Sequence, residues 1–318
     1  MMVSVMLLGL TIALIFTSML MTDIILTWLM MEVSMLLFVC WAGITTYNSL
    51  TVEGLMLYFL PQSYAGIFMI VVIFWSIYVG SNMSFFLLIA TVMLAMKIGL
   101  FPFHFWVFPT TLSLDYYVLL VLMTLMKVIP LALSHEIMFM LSKPNQFPSS
   151  MTLWTLMAVS SLMAGTVYGL GATSLRHMLA ASSIVHGGWL VTGMMSYSMW
   201  WYFLGYSVSM WVLISSVYSQ KWASAGFYLL ALGGLPPFAM FSLKMYVLVK
   251  GVMTNVYVEL LAVAVVSAVI SLFYYLKFSY PYLLKGWLSS SRPSLLSVVL
   301  VNLLSSLSLS LVLILDFL

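Results

Sequence analysis

Apolar runs of membrane-spanning length follow one another along almost the whole chain, separated by short stretches of polar residues, glycine and proline. A helix needs about 20 consecutive apolar residues to cross a bilayer, and the punctuation delimits about eleven such segments. They fall at roughly 2–20, 23–44, 53–79, 84–101 and 113–133. After a polar stretch from Ser142 to Ser150 come further runs at roughly 151–169, 174–195, 199–219, 225–250, 256–280 and 294–315. No stretch alternates in the manner of a strand. In lipid every backbone N–H and C=O needs a partner within the protein, and helices supply these segment by segment. The expected fold class is all-α, a polytopic membrane protein.

Two of the predicted helices carry interruptions. Lys97-Ile-Gly-Leu-Phe-Pro102-Phe-His104 closes the fourth, and Gly233-Gly-Leu-Pro236-Pro237, leading to Lys244, lies inside the ninth. Proline removes a helical donor and clashes with the preceding turn, so both runs should break or kink within the membrane. They lie five predicted helices apart, an odd separation, so they cross in opposite directions. Broken helices at matching places in two halves of opposite direction are the mark of an inverted repeat built around an ion pathway. A single membrane domain is expected, with 1–141 and 151–280 as two inverted five-helix units and 294–315 as an extra C-terminal helix.

Composition sharpens this picture. Apolar residues make up 64% of the 318 positions and charged residues 5%, against roughly a quarter charged in a soluble domain. A large extramembrane domain is excluded. Cys40 is the only cysteine, so the chain has no internal disulfide, cysteine-ligated iron–sulfur cluster or zinc knuckle. Met1 to Leu20 lacks the basic start and small-residue cleavage site of a targeting peptide, and reads as a first membrane helix. The net charge of +3 is too small, and its basic residues too dispersed, for a nucleic-acid surface. Connections on the N-terminal side hold Arg176, Lys221, Lys277, Lys285 and Arg292, and those on the other side hold Lys143 and Lys250. The positive-inside rule then sets the N-terminus in the cytoplasm or its organellar equivalent, the matrix, and the C-terminus outside.

Charge at mid-membrane costs about 2.5–3.5 kcal/mol per residue on insertion scales, so each buried ionisable group calls for a reason. Glu32, Lys97, Lys127, His186 and Lys244 fall deep in five different predicted helices. Burial disfavours an ammonium's charge and makes a sealed lysine a proton carrier. Glu32 is the one mid-membrane carboxylate of the first half, and either Lys97 or Lys127 is its natural partner. His186 titrates in the physiological range by default and is placed to pass protons between Lys127 and Lys244. The competing reading is structural, with the lysines snorkelling and Glu32 bonded to a neighbouring helix. His104 fits a water path or a loop cap. His135, Glu136 and His177 read as interfacial, and Asp23, Glu53, Asp115, Glu259 and Asp316 as solvated groups at helix ends.

Other motifs do not hold. Gly169-Leu-Gly171-Ala-Thr-Ser174 follows no strand and lacks the third glycine of a dinucleotide loop, so it reads as a turn between helices. Ser182 and Ser183 beside His186 have no carboxylate to orient the imidazole, and no spacing of His, Asp and Glu suggests a metal.

Four stretches, in order, resemble one family: Trp28-Leu-Met-Met-Glu32, Ala95-Met-Lys97 through Pro102-Phe-His-Phe-Trp106, Ser182-Ser-Ile-Val-His186-Gly-Gly-Trp189, and Leu232-Gly-Gly-Leu-Pro236-Pro237 through Lys244. They are similar to the subunit 2 family of NADH dehydrogenase, the mitochondrially encoded antiporter-like subunit of respiratory complex I. The resemblance implies a proton-translocating core subunit with two inverted units, and an ancestor of fourteen helices shortened at its N-terminus. It implies Glu32 and Lys97 as the coupling ion pair, Lys127 as the central lysine, His186 as a connecting residue and Lys244 as the lysine of the second broken helix. It further implies the mitochondrial inner membrane, other membrane and accessory subunits as partners, and contacts with lipids, cardiolipin being a candidate. Flavin, iron–sulfur clusters and ubiquinone are expected in other subunits, with no cofactor in this chain. The sequence departs from the family pattern where Val107-Phe108-Pro109-Thr110 follows Trp106 without the acidic residue common there, at Met126 before Lys127, and at Gly187 after His186. A stand-alone cation/proton antiporter and a purely structural membrane subunit remain as alternatives.

Overall fold

A computed structural model describes residues 2–45, 48–79, 83–141 and 149–288. The expected C-terminal helix at 294–315, with Arg292 and Asp316, lies outside the described residues, as does Lys143. Among the described residues the chain is helical, without strands. Six helices among the described residues are long and apolar enough to cross a membrane. The chain divides into two compact units, Met1–Met157 and Ala158–Leu318.

In the first unit, α1 (Met2–Ser18), α2 (Ile24–Thr45), α3 (Ser49–Val79) and α4 (Met83–Ile98) follow the predicted runs closely. Helix α1 packs on α2, and α3 on α4. Many large apolar side chains of α1 and α3 stay exposed, Phe16, Ile67, Phe68 and Trp75 among them. An apolar exterior of this kind is stable facing lipid and costly facing water. Asp23 and Asp115 are exposed immediately before α2 and before the helix that begins at Tyr116, where the helix dipole favours negative charge, and Glu53 is exposed in the second turn of α3.

The fourth predicted helix is broken, as its proline suggested. Helix α4 stops at Ile98, and Gly99 takes a left-handed conformation at φ 82°. The N–H groups of Gly99 and Leu100 both donate to the Ala95 carbonyl at 3.0 Å, closing the helix with a left-handed glycine cap. The chain then passes through a cis Phe101–Pro102 peptide and re-enters a short helix, α5 (Val107–Ser113), which the hydropathy pattern left as a connection. The Trp106 indole N–H donates to the Met96 carbonyl at 3.0 Å and ties the resumed segment to the end of α4.

The fifth predicted helix differs from expectation. Instead of one rod over 113–133 it is α6 (Tyr116–Met123), a single 3-10 turn (Leu125–Lys127) and α7 (Val128–Leu141). Pro130 lies three residues past the turn and has no N–H to donate, which leaves the Met126 carbonyl without its usual helical partner. The Thr124 hydroxyl turns back onto the Leu120 carbonyl at 2.7 Å. Such a bond inside a membrane helix competes with the regular ladder.

In the second unit, α8 (Ser149–Leu170) crosses the unit boundary, and α9 (Leu175–Met195) is buried along its whole apolar length. The turn between them is the one expected around Gly171, with Ser174 capping α9 by accepting from the His177 N–H at 3.3 Å. Gly165 and Gly188 let α8 and α9 approach: an added Cβ would lie 2.6 Å from Val185 at the first and 2.7 Å from Leu162 at the second. Helix α10 (Met199–Tyr218) packs on α9. The ninth predicted helix is broken at its double proline into α11 (Trp222–Gly233) and α12 (Ala239–Met253). Gly234 caps α11 at φ 83°. Helix α13 (Val258–Leu288) runs past its predicted end at 280, carrying Pro281 within it, and packs along α11.

Candidate functional site

In the first unit the structure joins Glu32 to Lys97. The Lys97 ammonium donates to Glu32 Oε1 in a direct ion pair, with 2% of the lysine side chain and 17% of the glutamate side chain exposed. Lys97 occupies the last turn of α4, where the helix dipole favours a cation. Three further residues shape the pair. Gln62 Nε2 on α3 donates to the Lys97 carbonyl at 3.2 Å, satisfying an acceptor that the broken helix leaves open. The Trp28 indole, one turn before Glu32, donates to the Gly66 carbonyl at 3.0 Å. Gly66 itself is the floor of the glutamate's pocket, since a Cβ there would lie 2.2 Å from Glu32 Oε1.

Of the two lysines that could partner Glu32, the structure therefore selects Lys97. Lys127 lies in the 3-10 turn between α6 and α7, is 4% exposed, and its ammonium has no ion-pair or hydrogen-bond partner among the described residues. It is placed by a defect in the helix, in a region whose neighbours Leu125, Val128 and Ile129 belong to the apolar core of the unit. A buried ammonium without a counterion is poorly solvated.

In the second unit, His186 on α9 is held between two tyrosine hydroxyls, Tyr202 on α10 at 2.7 Å from Nδ1 and Tyr275 on α13 at 3.2 Å from Nε2. Tyr206 packs its ring against the imidazole at 4.7 Å. Lys244 on α12 donates from Nζ to the Gly233 carbonyl at 2.9 Å, so its charge sits on the C-terminal end of α11 at the break. Its ammonium lies 5.8 Å from the Trp189 ring centroid, and Trp189 stacks on Tyr202. His186 and Lys244 thus share one aromatic cluster, with Tyr275 packed against Gly233.

The remaining candidates occupy plainer positions. His104 lies in the break after α4, with Nδ1 3.2 Å from the Pro102 carbonyl and its ring stacked on Phe101, while its own carbonyl accepts from the Val107 N–H. This is a loop-forming role. His135 and Glu136 are half-buried on α7, well inside that helix. Ser182 and Ser183 donate to the Leu179 and Ala180 carbonyls. The partners of the charged groups are what the sequence did not display. Trp28 stands four residues before Glu32 and so shares its helix face, but no sequence signal singles out Gly66, Tyr202 or Tyr275.

Known proteins share this fold. A chain of respiratory complex I from Thermus thermophilus superposes with a TM-score of 0.70 over 90% of this chain and 71% of its own, at 20% identity. A chain of the Mrp complex from Dietzia gives 0.74 at 15% identity, and this chain spans 59% of its length. These likenesses establish an antiporter-like membrane fold. No family model matches the sequence. Among curated relatives, NADH-ubiquinone oxidoreductase chain 2 of Albinaria caerulea is 35% identical over 256 residues, 80% of this chain and 81% of that one. The proteins of the same name from Sylvisorex granti and Anopheles gambiae are each 31% identical, across 80% of this chain and 78% of theirs. On this likeness in sequence and fold the chain belongs to the NADH-ubiquinone oxidoreductase chain 2 family, the multi-pass membrane subunits of respiratory complex I.

Proposed function

We propose that this subunit carries protons across the inner mitochondrial membrane, driven by quinone reduction in other subunits, through Glu32, Lys97, Lys127, His186 and Lys244. One observation carries the reading: a Lys97–Glu32 ion pair sits inside membrane-spanning helices at the capped end of a broken one. A buried pair of this kind is weak evidence for stability but well suited to opening and closing. Gly66, Trp28 and Gln62 surround the closed pair and define its position.

A charge change arriving from a neighbouring subunit loosens the pair, and the freed ammonium alters how firmly Lys127 holds its proton. In the second unit His186 and Lys244 take up and release protons within their aromatic cluster. The passage of charge in the order Glu32–Lys97, Lys127, His186, Lys244 is part of the proposal, as are the two inverted units, the matrix N-terminus and the lipid contacts. The chain itself carries out no redox step. Flavin, iron–sulfur clusters and ubiquinone act elsewhere in the complex, since one cysteine cannot ligate a cluster.

The test uses the assembled complex in sealed membranes. Lys97→Met and Lys127→Met are each expected to lower protons translocated per NADH oxidised, or to slow coupled oxidation, while the complex remains assembled. Unchanged stoichiometry and rate in both variants would refute the reading.

A further inference from the structure

We propose that Tyr202 and Tyr275 are the direct proton-transfer partners of His186, so that a hydroxyl–imidazole–hydroxyl array passes protons through the second unit. The inference rests on the proton-carrying reading above and adds two residues to it.

Both imidazole nitrogens face a phenol oxygen, Nδ1 at 2.7 Å and Nε2 at 3.2 Å. A neutral imidazole has one donor nitrogen and one acceptor nitrogen, and an imidazolium has two donors. A carbonyl partner would satisfy only a donor, and an N–H only an acceptor. A hydroxyl does either by turning, so two hydroxyls keep both nitrogens bonded in either tautomer and in the cation. The surroundings exclude bulk water: His186, Tyr202 and Tyr275 are each 2% exposed or less. A merely structural histidine in an apolar bundle needs one fixed bond to set its ring. This one has a reversible bond on each side, supplied by two different helices.

The transfer balances without leaving a charge behind. With the proton on Nε2, the Tyr202 hydroxyl donates to Nδ1 and Nε2–H donates to Tyr275 Oη. A proton reaching Tyr202 Oη allows that phenol's own proton to pass to Nδ1. The Nε2 proton then passes to Tyr275 Oη, and the proton already on Tyr275 leaves to the next acceptor. One proton enters and one leaves, and the imidazole ends as its other tautomer, with both hydroxyls turned to match it. The array lies beside Lys244. Tyr275 packs on Gly233, whose carbonyl holds the Lys244 ammonium, and the Ser182 hydroxyl lies beside the Tyr275 phenol. Tyr202 stacks on Trp189, whose ring faces the Lys244 ammonium.

Tyr206 supplies the control. Its ring packs on the same imidazole, but its hydroxyl has no protein partner among the described residues. In the assembled complex, Tyr202→Phe and Tyr275→Phe are expected to lower the proton-pumping rate about a hundredfold or more, the scale of a lost acid–base partner, with the complex present in normal amount. Tyr206→Phe removes a hydroxyl from the same cluster and should pump as the unaltered protein does. Equal loss in all three, or no loss at Tyr202 and Tyr275, overturns the assignment. Lys127→Met, measured in parallel, separates the two failures: pumping lost there but kept in the tyrosine variants leaves the general reading standing and removes the relay. Should a phenylalanine variant not assemble, Tyr275→Gln keeps a hydrogen bond to the imidazole but cannot pass a proton through one atom. Assembly without pumping supports the relay, and normal pumping overturns it. Failure of every Tyr202 and Tyr275 variant to assemble, with Tyr206→Phe assembled, assigns the hydroxyls to structure and also overturns it.

Discussion

The ion pair between Glu32 and Lys97 depends on a residue that has no side chain. Gly66 lies on α3 opposite the glutamate, and a Cβ there would come within 2.6 Å of all three atoms of the carboxylate group. Rotation of Glu32 to relieve this would take its oxygen off the Lys97 ammonium. Gly66→Ala is therefore expected to act on the pair as well as on packing, at a cost of about 1–3 kcal/mol for the added volume. The expected outcome is a lower temperature of thermal inactivation for the solubilised complex together with reduced proton pumping. A variant that loses stability but pumps normally at low temperature would show that the pair tolerates displacement. The charged members of the site were legible in the sequence because an ionisable residue inside an apolar run has few reasons to be there. Their pairing was not. Periodicity along α2 and α4 leaves Glu32 within reach of a lysine from either of two helices, and the choice is made by the 3-10 turn that carries Lys127 and by the space at Gly66. Neither feature has a signature in hydropathy.

At the scale of elements, both predicted interruptions end a half-helix with a glycine in the left-handed region, Gly99 at φ 82° and Gly234 at φ 83°. The two ends put a buried lysine at the negative pole of the half-helix: Lys97 lies in the last turn of α4, and the Lys244 ammonium binds the Gly233 carbonyl of α11. Their counterparts differ. Lys97 meets a carboxylate, while Lys244, among the described residues, meets a carbonyl and the face of an indole. The break at α11 thus depends more on its cap. Gly234→Ala places a β-carbon at a φ that costs an L-residue about 1–2 kcal/mol, 3.1 Å from the Lys244 ammonium. It is expected to slow pumping by moving the lysine off its carbonyl, and Ala225→Gly, in the first half of the same half-helix, serves as a control that lowers helix stability away from the cap. Equal pumping in the two variants would sink the claim that the cap positions Lys244. Both breaks were legible because proline and glycine together punctuate an otherwise apolar run. The break inside the fifth predicted helix was missed because only Pro130 marks it, and a proline that near a buried lysine reads equally well as a simple kink. The short helix α5 was missed because seven residues are too few for the hydropathy pattern to separate from a connection.

For the whole molecule, the question is where the driving energy enters. A single cysteine, Cys40, exposed on α2, cannot ligate an iron–sulfur cluster. Under the proposed function, redox energy reaches these buried charges as a movement or a charge presented by other subunits of the complex. A stand-alone cation/proton antiporter would place the same lysines on a similar fold, and the likeness to the Mrp chain shows that the architecture is not specific to one machine. The two cases differ in what the protein needs. An antiporter working alone exchanges a cation for protons in lipid vesicles without NADH, whereas a subunit driven from outside does nothing until its partners turn over. Solubilised mildly, this chain is expected to migrate with a large assembly that carries flavin absorbance and iron–sulfur paramagnetic signals, and proton movement through it should require NADH and quinone together. Isolation as a small oligomer that exchanges cations for protons in vesicles would decide for the antiporter. If the chain migrated with the assembly but neutralising all five buried ionisable residues left pumping unchanged, the bundle would be a structural bridge. The energetics argue against that bridge, since a purely structural helix packing gains nothing from three buried lysines that each cost about 2.5–3.5 kcal/mol to insert.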